Sequence, residues 1–345
     1  MPVLLNNLTS DELHAQLAHT GVTPRLARLL QHAAVRHNTL PKPVANGFSA
    51  KLLERIRLLT TIPRLTLLEK IVSPQDGFAK YLFRGDSLDA FEAVRIPLLH
   101  RANDSKYVVC VSSQAGCALG CAFCATGRIG FRCNLAAWEM VDQVCHIQAD
   151  SPHPVRGVVF MGMGEPFLNY DAVMTAARIM SEPSGLAIAA KAITICTAGI
   201  VPGIHRYTAE RQPYRLVISL TSADPELRRT LMPIEQTHPT SALLNALREY
   251  HAATGQRVTL AWTMLAGQNT RVEDAKQLAQ LTRGLPIKLD LIDVNDPSGK
   301  FHPPTAAELA VFRDALRQHL AAPVARRYSG GSDIHAACGM LAGRA

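Results

Sequence analysis

From about Lys106 onward, six strand-like runs alternate with helix-like stretches, and this alternation limits the possible folds more than any other feature of the chain. The strand-like runs cover residues 107–112, 157–161, 192–196, 215–220, 257–265 and 287–292. Between them, residues 135–148, 170–180 and 272–283 carry apolar side chains at helical spacing. Strands joined by helical crossovers run parallel, because each crossover returns the chain to the same end of the sheet. The fold class expected is therefore α/β, with a parallel sheet or partial (β/α)6 barrel. At 345 residues and 48% hydrophobic content, the chain can bury such a core and still carry a smaller accessory unit. Active sites in these folds gather at the C-terminal ends of the strands.

The upstream region reads differently. Thr9 to Glu12 fits a helix capping box, with Leu13 and Leu17 one turn apart behind it. Pro24 opens a stretch with Leu26, Leu29, Leu30 and Ala33 on one face, and Ser49 precedes Leu52, Leu53, Ile56 and Leu59. These runs predict a helical accessory domain over residues 1–62. Residues 65–72, 78–84 and 90–98 then look like strands, with turn residues at 73–77 and at Gly85-Asp86. They predict a small antiparallel sheet over 63–100. The barrel would follow over 101–322, with a C-terminal tail at 323–345.

Composition excludes several classes. No stretch approaches the roughly 20 apolar residues of a membrane span, and residues 1–10 lack the cationic start and apolar run of a secretory signal. The expectation is a cytoplasmic protein without a membrane partner. The net charge of +8 suits a nucleic-acid partner, although many basic proteins have none. Eight cysteines in such a chain fit metal or redox work better than a disulfide framework.

Three of those cysteines, Cys117, Cys121 and Cys124, lie in a loop directly after the first barrel strand. Three thiolates within eight residues can face one point. Iron–sulfur clusters take cysteine thiolates, usually four. A missing fourth ligand leaves one iron open to substrate, and an open position separates a catalytic centre from a closed structural one. Gly116 and Gly120 allow the backbone to wrap closely. Zinc is the alternative, but zinc sites usually pair two short cysteine or histidine spacings, and no second pair occurs here.

The C-x3-C-x2-C spacing after a first strand resembles the radical S-adenosylmethionine (SAM) superfamily. Further motifs resemble its RlmN/Cfr family of RNA adenosine methyltransferases: Cys110-Val-Ser-Ser-Gln-Ala-Gly-Cys117, Cys124-Ala-Thr-Gly, Gly162-Met-Gly-Glu-Pro166 with Leu168-Asn169-Tyr170, and Asp333-Ile334-His-Ala-Ala-Cys338-Gly339. The resemblance implies a [4Fe–4S] cluster on Cys117, Cys121 and Cys124, with SAM as second cofactor. It implies that Cys338 receives a methyl group from one SAM and that a radical made from a second SAM activates it. Cys110 then removes the ring proton and forms a transient disulfide with Cys338. Glu92 matches a position assigned as proton acceptor. Taken alone, Cys110 reads better as a buried strand cysteine and Cys338 as a stray tail thiol, while Glu92 reads equally well as an exposed strand carboxylate.

For SAM, the matching positions are Gly164, Glu165, Cys196, Ser219, Leu220, Thr221 and Asn295. The implied partners are an RNA substrate (23S rRNA, with tRNA as a further candidate) and an external electron donor such as flavodoxin. Oligomeric state is not legible. The chain departs from the family pattern at Cys133, at Cys196 and Thr221, at Ala261-Trp262, at Gly330 and at Met340. Rival readings are methylation at C8 in place of C2, a radical SAM enzyme with a non-RNA substrate, and a non-catalytic iron–sulfur RNA-binding protein.

Overall fold

The computed structural model describes residues 2–43, 47–98 and 105–343. The boundary expected between residues 100 and 101 lies outside the described residues.

Near the N-terminus, helices α1 (Ser10–Leu17), α2 (Pro24–His37) and α3 (Ala50–Leu59) form the accessory unit. The capping box is present: Thr9 Oγ1 accepts from the Glu12 N–H, while the Glu12 carboxylate accepts from the Thr9 N–H. The Thr23 and Ser49 hydroxyls cap α2 and α3, accepting from the Leu26 and Leu52 N–H groups. Their apolar faces, including Leu13, Leu17, Leu30, Leu53 and Ile56, close a separate small core. Glu182 ties this unit to the rest, accepting from Ser10 N–H at 3.1 Å and from Gln31 Nε2 at 2.6 Å.

The main body is a ten-stranded sheet whose spatial order follows the chain. Its strands are β1 (Thr66–Val72), β2 (Ala79–Arg84), β3 (Ala90–Leu98), β4 (Lys106–Cys110), β5 (Val155–Phe160), β6 (Ile193–Thr197), β7 (Arg215–Ser219), β8 (Val258–Met264), β9 (Ile287–Asp293) and β10 (Val324–Arg327). β1 to β4 are antiparallel neighbours, and β4 to β10 run parallel. Two sequence expectations need correcting. The meander is not a sheet of its own, because Val94 of β3 pairs with Cys110 of β4 and carries the sheet straight into the parallel part. The segment after residue 322 does not begin as tail, because β10 adds a further parallel strand beside β9.

Helices α4 (Ala137–Ala149), α5 (Tyr170–Ser181), α6 (Val201–Ala209), α7 (Pro225–Leu231), α8 (Thr240–Thr254), α9 (Val272–Leu281) and α10 (Ala306–His319) fill the connections. Their buried faces join the sheet in one large core running from Val35 to Leu341. Val217, Ala261 and Ile292, with Met161 and Cys196 against them, form a second, much smaller apolar cluster. That patch lies at the candidate site.

Candidate active site

The cysteine loop is built by backbone. A short antiparallel ribbon, Gln114–Gly116 with Phe131–Asn134, leads into it. Cys117 N–H donates to Gly130 O at 3.0 Å, Cys124 N–H to Cys121 O at 3.1 Å, and Ala122 N–H to Leu231 O at 2.9 Å. Gly116 has φ +72°, and a Cβ there would stand 1.9 Å from Gly130 O. The ribbon can therefore close only on glycine.

Cys117, Cys121 and Cys124 line one cavity, together with Gly164, Glu165, Cys196, Ser219, Asn295 and Cys338. Apart from Gly164, all are free thiols or polar side chains, and they come from the C-terminal ends of the strands or the loops after them. Leu220 and Thr221, matched to SAM by resemblance, are fully buried and do not line the cavity. Leu220 belongs to the main core, and the Thr221 carbonyl accepts from Asn269 Nδ2.

Does this pocket fit the implied cluster? Among the described residues, no three Cys, His, Asp or Glu side chains are grouped tightly enough for a single metal ion. A [4Fe–4S] cube takes each thiolate on a different iron, so its thiolates stand further apart than ligands of one ion. Three thiols from one eight-residue loop match that donor set, and Cys124 lies close enough to act on the pKa of both Cys117 and Cys121. Burial, more than this effect, pushes Cys117 up to about 12 and Cys121 higher, so loading iron must displace protons. The residues fit the group.

Glu165 is buried at the cavity wall. One oxygen accepts from Phe167 N–H at 3.0 Å and the other from Ala198 N–H at 2.8 Å. Burial raises its pKa, and these hydrogen bonds offset only part of the rise. The carboxylate therefore braces the loop after β5 against the end of β6. This brace continues through a residue that sequence alone did not flag. Arg228 of α7, fully buried, donates to Ala198 O at 2.7 Å and Leu220 O at 3.1 Å and pairs with Glu235. Nothing local in Arg228-Arg229 marks the first of the two as buried; the fold does that.

The two outlying cysteines are brought together. Cys110 ends β4 and lines a second cavity with Cys124, Ser329 and Cys338. Cys338 thus borders both cavities. Although Cys338 is exposed by surface area, crowding around the sulfur raises its thiol pKa, while the Arg327 guanidinium works against the rise. Burial first, and then Cys338, push the Cys110 thiol well above its ordinary range. Arg327, last residue of β10, reaches Met161 Sδ at 3.6 Å and opposes the rise at Cys110 and Cys196 as well. Cys196 rises to about 12, mainly through burial, and lies 3.4 Å from Ser219 Oγ.

The tail itself is docked by scattered contacts. Asp76 accepts from Gly331 N–H at 2.8 Å and from Tyr328 Oη at 3.0 Å. Ser73 Oγ donates to Asp333 at 2.9 Å. Ser329 Oγ accepts from Asn295 Nδ2 at 2.9 Å and from Cys338 N–H at 3.4 Å. Glu92, by contrast, lies away from both thiol cavities and borders a third one with Lys80, Arg128 and Met340.

A parallel α/β sheet with three cysteines in the loop after its first parallel strand, and polar groups beyond the strand ends, is the arrangement of a radical SAM enzyme. Comparison with known proteins agrees: residues 111–280 match the model of the Radical SAM superfamily. The chain is 47% identical to a "Probable RNA methyltransferase" of Myxococcus xanthus, over 98% of this chain and 94% of that protein. It is 39% identical to the "Dual-specificity RNA methyltransferase RlmN" of Syntrophobacter fumaroxidans, over 99% and 98%. The crystal structure of a radical SAM methyltransferase from Sphaerobacter thermophilus superposes with a TM-score of 0.89 at 35% identity, covering 99% of this chain and all of that one. The chain belongs to the RlmN-type family of radical SAM RNA methyltransferases. Its cofactors are a [4Fe–4S] cluster and SAM. No described helix is long and apolar enough to cross a membrane.

Proposed function

We propose that this RNA methyltransferase acts at C2 of an adenosine in 23S rRNA, with tRNA as a second substrate, through a methyl group carried on Cys338. The dual specificity in the name of the Syntrophobacter relative supports two RNA targets. When bound on Cys117, Cys121 and Cys124, the cluster supplies the electron that opens SAM. Gly164, Cys196, Ser219 and Asn295 hold SAM beside it, with Glu165 keeping their loops in register. Adenine C2 is not nucleophilic, so a carbon cannot reach it by simple displacement from SAM. A thiol that carries carbon from one chamber to another answers that need.

The observation that carries this reading is that Cys338 borders both the cavity of the cluster thiols and the cavity of Cys110. Cys110 acts as the thiol that takes the ring proton and releases the product. An unpaired, unstacked adenosine is the expected substrate form. An external electron donor such as flavodoxin and a cytoplasmic site of action go with this reading.

The two cysteine variants separate the roles. Cys338→Ala neither acquires a methyl group nor modifies RNA. Cys110→Ala still acquires the methyl group, attacks RNA and stalls as a covalent protein–RNA adduct, visible as an RNA-dependent shifted band on a denaturing gel. Full methylation by either single variant would sink the scheme. Mass spectrometry of the digested RNA product distinguishes 2-methyladenosine from the 8-methyl isomer.

A further inference from the structure

Glu92 is the buried carboxylate that the chemistry above leaves without a task. It lies in β3 and is only 2% exposed. A charge so placed must be paired and hydrogen-bonded. Its Oε1 pairs with Lys80 Nζ of neighbouring β2 at 2.9 Å. Its Oε2 accepts from Ala342 N–H at 2.7 Å and from Gly343 N–H at 3.0 Å. Gly343 comes this close because it has no side chain: φ is +61°, and a Cβ would stand 2.6 Å from Ala90 O.

The stretch leading back to Cys338 is pinned in step. Leu341 is buried and its carbonyl accepts from Thr126 Oγ1 at 2.6 Å; the Gly339 carbonyl accepts from Ala125 N–H at 2.7 Å. At Cys338 itself the bonds are long: its N–H reaches Ser329 Oγ at 3.4 Å and its carbonyl accepts from Asn295 Nδ2 at 3.5 Å. The short bonds at 339–343 therefore do much to fix where the thiol sits.

We propose that Glu92, charged against Lys80, is the positioning residue that latches residues 342 and 343 and thereby seats Cys338 between the two cavities, in place of the proton-acceptor role that family resemblance implies. A latch needs an oxygen that accepts from two amides, whereas a proton acceptor needs a basic one. Gln supplies the first and not the second. The proposal rests on Cys338 as the working thiol, but its main readout, the reactivity of that thiol, does not depend on RNA activity.

The test compares Glu92→Gln with the double variant Lys80→Met, Glu92→Leu, which removes the pair without stranding a buried charge. Each is reconstituted with cluster, and iron content and circular dichroism confirm folding. Iodoacetamide alkylation of the tryptic peptide 328–344, which contains Cys338 as its one cysteine, is followed by mass spectrometry. The double variant is expected to alkylate about ten-fold faster or more, as loss of two charge-assisted hydrogen bonds implies, with faster hydrogen exchange at 342 and 343 and impaired RNA methylation. Glu92→Gln restores both slow alkylation and RNA methylation. Two outcomes overturn the proposal: a folded double variant with unchanged alkylation, or a Gln variant with unchanged alkylation and no RNA methylation, which would make Glu92 the proton acceptor.

Discussion

The loop that carries the cluster thiols and the tail that carries Cys338 face the same cavity, yet they are held by opposite means. The loop is fixed by main-chain hydrogen bonds and by close glycine packing at Gly116. The tail is held mostly by side-chain oxygens of Asp76, Ser73, Ser329, Thr126 and Glu92, with one main-chain bond across to it, from Ala125 N–H to Gly339 O. It buries only a few small or medium side chains of its own, Ile334, Ala336, Ala337 and Leu341. A holder of a metal cluster must keep one geometry. A thiol that works in two chambers must be easy to release, and low local stability belongs to segments that move in function.

Breaking the loop gives the largest effect. Changing Cys117, Cys121 and Cys124 together to Ala should remove the bound cluster and abolish SAM cleavage. Gly116→Val should do nearly as much without touching a ligand, because its Cβ would collide with Gly130 O and the ribbon must open. Iron analysis and 5′-deoxyadenosine production after anaerobic reconstitution measure both. A triple Ala variant that still makes 5′-deoxyadenosine would refute the assignment of the cluster.

The next effect tests how firmly the loop's foundation is built. Arg228→Met strands Glu235 in the core and frees the Ala198 and Leu220 carbonyls. Breaking a buried pair by one partner costs about 3–5 kcal/mol. Denaturant unfolding should show that loss, and Arg228→Met combined with Glu235→Leu should recover a good part of it. If the single variant unfolds like the parent, the brace from Glu235 to Glu165 is not structural.

The same contrast explains what sequence could and could not show. The six expected barrel strands are all present, because each is an apolar run bounded by turn residues. The cysteine loop was legible because its chemistry is local, three thiols and two glycines within a few residues. What escaped was long-range. Residues 324–327, Val-Ala-Arg-Arg, have too little apolar character to read as a strand. They pair with β9, where Arg326 meets Asp293 at 2.7 Å and Arg327 meets Asp290 at 3.6 Å. The meander could not be assigned to the main sheet without the pairing of Val94 with Cys110. Burial was equally hidden: Glu92 reads as a strand carboxylate facing water, and Leu220 and Thr221 share a motif with Ser219 but turn into the core.

The smallest effect is on the tail's first anchor, and it carries a pH signature. Burial acts to raise the Asp76 pKa, but hydrogen bonds from Gly331 N–H, Phe78 N–H and Tyr328 help to outweigh it, so the carboxyl titrates below its ordinary range. A group whose pKa is depressed by docking stabilises the docked state above its free pKa. That contribution is lost as pH falls through the docked value. Acidification below about pH 4 should therefore loosen residues 328–331, read as faster hydrogen exchange there by pulse labelling. Asp76→Asn should remove this pH dependence and speed exchange at neutral pH only a few-fold, since the site is partly exposed and screened. Cluster content should not change. If Asp76→Asn lost iron or abolished SAM cleavage, the tail and the loop would be one cooperative unit, and the contrast between them would fail.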